Sequence, residues 1–417
     1  MQNFPVLKKR PKPRNLLIVT QNFTVGGLET QIKGQVEELK SLGWKVHLVC
    51  GSEYDNAYIP AGIDSVNQTP SIDNAANTQD LLRSVVFISD LIKKHQINIV
   101  HAHPFTSVLP SFLASRDNNV PFYLTLHGPA SLGPGRGGYN GYGENFYNIN
   151  ELIFKSSNMI VVSEELSDRL KNISKQRPII LPNSVKVNKI RSWHHPKKHI
   201  SDSRWLVVSR LDGEKNKGIK EFIKAALQAG VGHIDIAGKG PEEDSLRSWC
   251  ASSSYDQHVG FLGLVQNPQS IMREYDGCAG MGRVVLESIE RRKITCLVGY
   301  DGVKGILGGT DIKQAAYSNF SGRGLPNVAI EDFAACFAEA AKGNVVTANR
   351  SAVRRSYSQK ETWRHYADAV GRVEAHHKGG TGVLKNLTDA IEGLDIDNSK
   401  PWYTESTTTS LLKELLA

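Results

Sequence analysis

The sequence has no uncharged apolar run near the ~18 to 20 residues that cross a bilayer, and its N-terminus lacks the apolar core and small-residue cleavage site of a secretory signal. Both absences lead us to expect a cytoplasmic protein. Cysteine is scarce: Cys50, Cys250, Cys278, Cys296 and Cys336 are scattered, odd in number and never spaced Cys-x-x-Cys. That excludes a disulfide framework and a zinc site as expectations and leaves reduced, mostly buried thiols. Acidic residues are missing from the N-terminal run Lys8, Lys9, Arg10, Lys12 and Arg14, which Pro5, Pro11 and Pro13 keep from being helical. Residues 1–15 therefore read as a basic, solvated tail, suited to peripheral contact with an anionic surface such as the inner face of a membrane. Basic and aromatic residues are not interleaved as on a stacking platform, so nucleic acid is not the expected partner.

What is present is a globular composition, with 40% hydrophobic and 22% charged residues in 417, a length better suited to two domains than to one. Short β-branched runs alternate with helix-length amphipathic segments. Leu16 to Thr20 and Val46 to Cys50 read as strands, Leu28 to Ser41 as a helix stopped by Gly43, and Asp80 to His95 as another helix. The rhythm continues through Ile97 to His101, Phe122 to Leu126, Met159 to Val162 and Pro178 to Leu181, and implies a parallel sheet covered on both faces. It breaks in a polar, basic stretch holding Asn183, His194, His195, Pro196 and Lys197 and restarts at Trp205. We read residues 16–190 as one doubly wound domain, 191–203 as a linker, 204–357 as a second such domain and 358–377 as a closing helix. Residues 378–417, which open on Lys378-Gly379-Gly380-Thr381-Gly382, read as a tail without a role. In that tail, Asp395-Ile396-Asp397 looks like a metal-diphosphate clamp but reads as a solvated charge pair. Open parallel sheets bind ligands beyond the carboxyl ends of their strands, so a cleft between the two domains is the expected site.

The most informative stretch runs from Cys278 to Glu287, read as a small-residue loop entering a helix. Unpaired amides at a helix start hold a diphosphate when Gly280 and Gly282 remove side-chain bulk, and Val284 lies in that first turn. A carboxylate such as Glu287 accepts from both hydroxyls of a ribose. Gly26 and Gly27 place a glycine pair at the start of the first helix, where backbone can approach a ligand or enter positive φ. After the first strand of the second domain come Arg210 and Lys215, a planar fork and a mobile point charge of the kind expected around a leaving diphosphate. The bland readings, a tight turn and a charged surface loop, fit each of these alone.

Together they carry a resemblance. Gly26-Gly27-Leu28-Glu29, Ile99-Val100-His101-Ala102-His103, Leu124-Thr125-Leu126-His127-Gly128, Val161-Val162-Ser163-Glu164, Leu181-Pro182-Asn183-Ser184-Val185, Ser209-Arg210-Leu211 to Lys215, Ile236-Ala237-Gly238-Lys239-Gly240-Pro241 and Phe261-Leu262-Gly263 resemble, in order, the landmarks of glycosyltransferase family 4. The similarity runs from about Leu16 to the helix near Trp363. It implies a GT-B architecture of two Rossmann-like domains, donor nucleotide on the second, acceptor on the first, and a last helix crossing back. It also implies a retaining transferase that uses no metal and no cofactor, its donor substrate being a nucleoside diphosphate sugar and its acceptor a glycan or lipid-linked glycan. Carried over residue by residue, Arg210 and Lys215 neutralise the diphosphate, Glu287 takes the ribose, His127 lies near the transferred sugar, and Gly26 and Gly27 close on the phosphates.

The chain departs from that pattern where the family has a first glutamate, eight positions before Glu287: here stands Ala279, and Met281-Gly282-Arg283 replaces Pro-Phe-Gly-Leu. That puts the identity of the sugar in question, with Arg283 as a substitute polar contact. The glycine-rich loop after His127 offers Arg136, Tyr139 and Tyr142 to a saccharide. His101 and His103 have no carboxylate partner at metal-ligand spacing and read as structural or sugar-binding. Two other readings stand beside the transferase. One is a catalytically silent GT-B subunit bound to a partner enzyme, motivated by Ala279. The other is a nicotinamide-dependent oxidoreductase, motivated by two Gly-x-Gly turns that lack a third glycine and a later strand-end acid.

Overall fold

A computed structural model describes residues 14–134, 141–187, 199–308, 311–371 and 382–416. The chain forms two units, one from the residues up to Pro182 and from Lys360 onward, the other from Asn183–Gln359. The passage between them thus falls at Pro182, ahead of the linker read from the sequence, most of which lies outside the described residues.

The first unit is a seven-stranded parallel sheet in the order β3-β2-β1-β4-β5-β6-β7. Its strands are β1 (Asn15–Val19), β2 (Lys45–Cys50), β3 (Ser65–Gln68), β4 (Ile99–Ala102), β5 (Phe122–Leu126), β6 (Asn158–Val161) and β7 (Ile179–Ile180). Alternation sorts the side chains of β1: Leu16 and Ile18 enter one apolar cluster, Leu17 and Val19 the other. Helices Gly27–Ser41 and Gln359–Gly371 cover the first face, the second contributing Trp363, Tyr366, Ala367 and Val370. Helices Thr78–Lys94, Val108–Asp117 and Glu144–Ser156 cover the other. Thr78–Lys94 begins in a capping box, Asn77 accepting from Asp80 N and Asp80 accepting from Asn77 N, which satisfies two amides of the first turn. Arg14, assigned above to the tail, donates from Nη2 to the Gly371 carbonyl at 2.7 Å and ties the returning helix to β1.

The C-terminal segment departs most from its sequence reading. Residues 382–416 contain helices Val383–Ile391 and Ser406–Leu416, and Leu387, Ile391, Trp402 and Leu412 are buried in the first unit's core. Thr78 and Thr408 share a buried hydroxyl bond at 2.7 Å, and Trp402 N donates to the Ala76 carbonyl at 3.0 Å. The hydroxyl-rich Ser406 to Ser410, assigned from the sequence to the tail, is helical here because the helix has an apolar partner that a local window does not contain. Asp397 remains at the surface, paired with Lys400 at 2.8 Å.

The second unit is a six-stranded sheet ordered β10-β9-β8-β11-β12-β13. Its strands are β8 (Arg204–Val208), β9 (His233–Ala237), β10 (Val259–Gly263), β11 (Gly277–Gly280), β12 (Ile294–Val298) and β13 (Val303–Ile306), all parallel except β13. In both sheets the order reverses beside the first strand, between β1 and β4 and between β8 and β11. Ligands of doubly wound sheets bind at such points. Among the described residues no helix is long and apolar enough to cross a membrane.

Candidate functional site

The switch point of the second sheet gathers the charged residues singled out in the sequence. β8 ends at Val208, and Asp212 caps helix Gly213–Gln228 by accepting from Lys215 N at 3.3 Å. The same carboxylate takes Lys215 Nζ at 3.1 Å and lies 3.5 Å from Arg210 Nη2. Arg210 is 73% exposed and Lys215 only 14%, so one cation is mobile and the other held. Burial, and then the neighbouring Arg210, lower the pKa of the Lys215 ammonium, while Asp212 opposes the shift. An anion arriving there would favour the charged form.

Beside this loop, the stretch read as a small-residue loop is largely a strand. Residues Gly277–Gly280 form β11, and only Met281 and Gly282 separate it from helix Arg283–Glu290. Glycine is rare in strands unless another group comes close; a Cβ at Gly277 would sit 2.5 Å from the Trp205 ring. Ala279 points into the apolar cluster of Trp205, Val207, Ile294 and Cys296. A carboxylate at 279 would enter the core, so the departure from the family pattern is a tight strand-to-helix turn more than a swap of one side chain. Gly282 caps the helix at φ 62°, ψ −128°, a backbone that requires glycine, and its side-chain direction is open.

Glu287 is buried on the first turns of that helix, and Arg283 holds it: Nη2 donates to Oε1 at 3.0 Å, while Nη1 donates to the Ser184 carbonyl at 2.6 Å. Arg283 is therefore engaged in orienting Glu287, not presented as a separate contact. The Gly238-Lys239-Gly240 turn also has a local explanation. A Cβ at Gly238 would meet the Ser209 carbonyl at 1.8 Å and one at Gly240 the Leu211 carbonyl at 2.2 Å. These glycines let two loops of the protein touch, which removes one of the two turns that motivated a nicotinamide site.

In the first unit, Gly26 precedes helix Gly27–Ser41 in an extended conformation, φ 174°. Positive φ is not its reason; a Cβ there would meet Glu29 Oε2 at 2.5 Å. Across the switch point, β4 and β5 deliver three histidines. His103 Nδ1 and His127 Nε2 are 2.8 Å apart. His101 Nε2 lies 2.7 Å from Thr125 Oγ1, and its Nδ1 faces the Tyr366 hydroxyl at 2.9 Å and Gln35 Nε2 at 3.3 Å. Burial depresses all three, His101 to about 3 and His127 to about 4, so they are neutral at physiological pH. His127 alone is partly exposed.

Tyr142 is tied inward: its hydroxyl donates to Asn74 Oδ1 at 2.8 Å and its ring stacks on Phe105 and Phe146. Gln21, just past β1, donates to the same Asn74 oxygen at 2.5 Å, and the Tyr403 hydroxyl donates to the Asn74 carbonyl at 2.8 Å. Neither Gln21 nor Tyr403 stood out in the sequence. Gln21 had the signal of a strand-end position; Tyr403, from the C-terminal segment, had none. Arg136 and Tyr139 lie outside the described residues.

Residues 25–189 match the family model for Glycosyltransferase Family 4. No curated protein matches the sequence. Among solved structures, a glycosyltransferase from Rickettsia africae superposes with a TM-score of 0.62 at 15% identity, over 86% of this chain and 97% of its own. TarM of S. aureus, in complex with fondaparinux, alpha-GlcNAc-glycerol and UDP, gives 0.63 at 11% identity over 86% and 100%. HepE of Anabaena, in complex with UDP and glucose, gives 0.62 at 14% over 86% and 100%. Two doubly wound units of this topology, superposing on those glycosyltransferases, give the chain a GT-B fold. The family match lies almost entirely within the first unit.

Proposed function

We propose that the protein moves a sugar from a nucleoside diphosphate donor to a glycan or lipid-linked glycan, with retention of configuration and without a metal. The observation that carries this reading is the Arg210–Asp212–Lys215 cluster at the carboxyl end of β8, one strand away from the Gly282 cap and Glu287. Two cations and the first amides of a helix supply the positive charge that a leaving diphosphate needs as its bond to the sugar breaks. Glu287, oriented by Arg283, accepts from the ribose hydroxyls, and a neutral His127 meets the transferred sugar. In the retaining route the leaving phosphate takes the acceptor proton on the same face of the sugar, so no protein base is assigned. That TarM and HepE were solved with UDP supports uridine as the base.

The test is a panel of nucleotide sugars offered with extracted glycan, read by release of nucleoside diphosphate and by NMR of the new linkage. Turnover that persists in EDTA with the anomeric configuration of the donor is expected. A requirement for added divalent metal, an inverted linkage, or no release with any donor would each overturn the corresponding part.

A further inference from the structure

We propose that His103 is a positioning residue that fixes the tautomer of His127, so that His127 presents an Nδ1–H donor. This deepens the transferase reading and rests on it for the identity of the group His127 meets.

The proton positions follow from the partners. At His101, Nδ1 faces the Gln35 amide nitrogen, which can only donate, and the Tyr366 hydroxyl. His101 Nδ1 therefore accepts, and its proton sits on Nε2, donated to Thr125 Oγ1. The His101 and His103 rings lie 4.6 Å apart between centroids. His103 is 2% exposed, and its Nε2 is buried without a partner. An orphaned buried N–H is more costly and rarer than an unused lone pair. The proton of His103 accordingly belongs on Nδ1, where it is donated across 2.8 Å to His127 Nε2. Since Nε2 of His127 accepts, the single proton of that neutral ring is left on Nδ1. Among the described residues no protein group bonds His127 Nδ1, and this ring is the one of the three that is partly exposed. The result is a neutral donor, fixed in orientation, suited to a sugar or phosphate oxygen.

Isosteres separate this role from simple packing. The Asn amide reproduces the Nδ1 position of histidine and the Gln amide the Nε2 position. The full-length protein, labelled with ¹⁵N-imidazole histidine, would be followed by NMR at neutral pH, the His127 signals being assigned by their loss in His127→Gln. The expected wild-type pattern is a protonated Nδ1 and a bare Nε2 at His127, kept in His103→Asn and lost in His103→Gln. In parallel, kcat and KM would be measured with whichever of UDP-glucose, UDP-N-acetylglucosamine and GDP-mannose the wild type turns over. His103→Gln should lower kcat about 10-fold or more with little change in KM, the scale for misplacing one hydrogen-bond donor, while His103→Asn retains most turnover. A wild-type His127 protonated on Nε2, or Asn and Gln variants that behave alike, would overturn the proposal. A wild type that turns over none of these donors would count against the transferase reading, with the NMR still deciding the tautomer.

Discussion

Asp212 and Arg283 do comparable work on opposite charges: each is an ion-pair partner that holds in place a group proposed above to meet the donor. Asp212 gathers Lys215 and Arg210, and Arg283 braces Glu287. The two pairs differ in burial, and so do their expected variants. Arg210 is exposed and its pairing adds little to folding, so Arg210→Ala should leave the melting temperature unchanged. It should nevertheless reduce kcat at least ~10²-fold, the scale for losing one transition-state charge stabiliser; near-normal turnover would remove its role. Arg283 and Glu287 are each 10% exposed, and removing one partner strands the other. Arg283→Met should therefore cost about 3 kcal/mol in urea unfolding and also weaken UDP binding by calorimetry, because Glu287 loses its orientation. A variant as stable as wild type and binding UDP equally well would show that the pair is neither structural nor a nucleotide contact.

Elements were legible where their apolar residues repeat and illegible where packing is made by small residues or by distant sequence. β1, β2 and β5 are β-branched or apolar runs, found within a residue or so of where they read. β11 escaped because Gly277, Ala279 and Gly280 carry no strand propensity; what makes them a strand is the Trp205 ring above Gly277 and pairing to both β8 and β12. Helix Gly213–Gln228 begins six residues before the apolar periodicity at Ile219, since its start is set by the Asp212 cap. The packing of the C-terminal segment escaped for the second reason: Trp402 is 1% exposed against residues some 250 to 325 positions earlier in the chain, such as Ala76 and Phe146. Trp402→Ala should cost about 3 to 5 kcal/mol in the calorimetric transition of the first unit. UDP affinity, assigned here to the second unit, should be unaffected in the folded variant. An unchanged melting profile would mean that residues 382–416 are not part of that core.

At the scale of the molecule, the doubly wound pattern was legible because parallel strands buried on both faces write themselves as unbroken apolar runs. The candidate site was legible as residue types, since Arg210, Lys215, Glu287 and His127 each lie at a strand end or helix start. What could not be read was how they are held: the Asp212 clamp and the Arg283 brace are local pairs whose side chains meet only once the strand-to-helix turns are set, and the histidine contacts depend on side chains meeting across separate strands. The histidines also give the fold a pH dependence. His101 is depressed to about 3 and His127 to about 4, both chiefly by burial, and His47 to about 4 by burial and then by His95, against the opposing pull of Asp64. Each titrates near 6.5 when unfolded, so between pH 6.5 and 4 the unfolded chain binds more protons than the folded one. Stability must then rise with pH across that window, by up to about 1.4 kcal/mol per pH unit for each imidazole, and level off above it. The urea midpoint should fall steeply from pH 6.5 to 4.5, and His101→Gln should flatten the slope by keeping a polar group that does not titrate. If the midpoint were constant over that range, these imidazoles would have to be protonated in the folded protein.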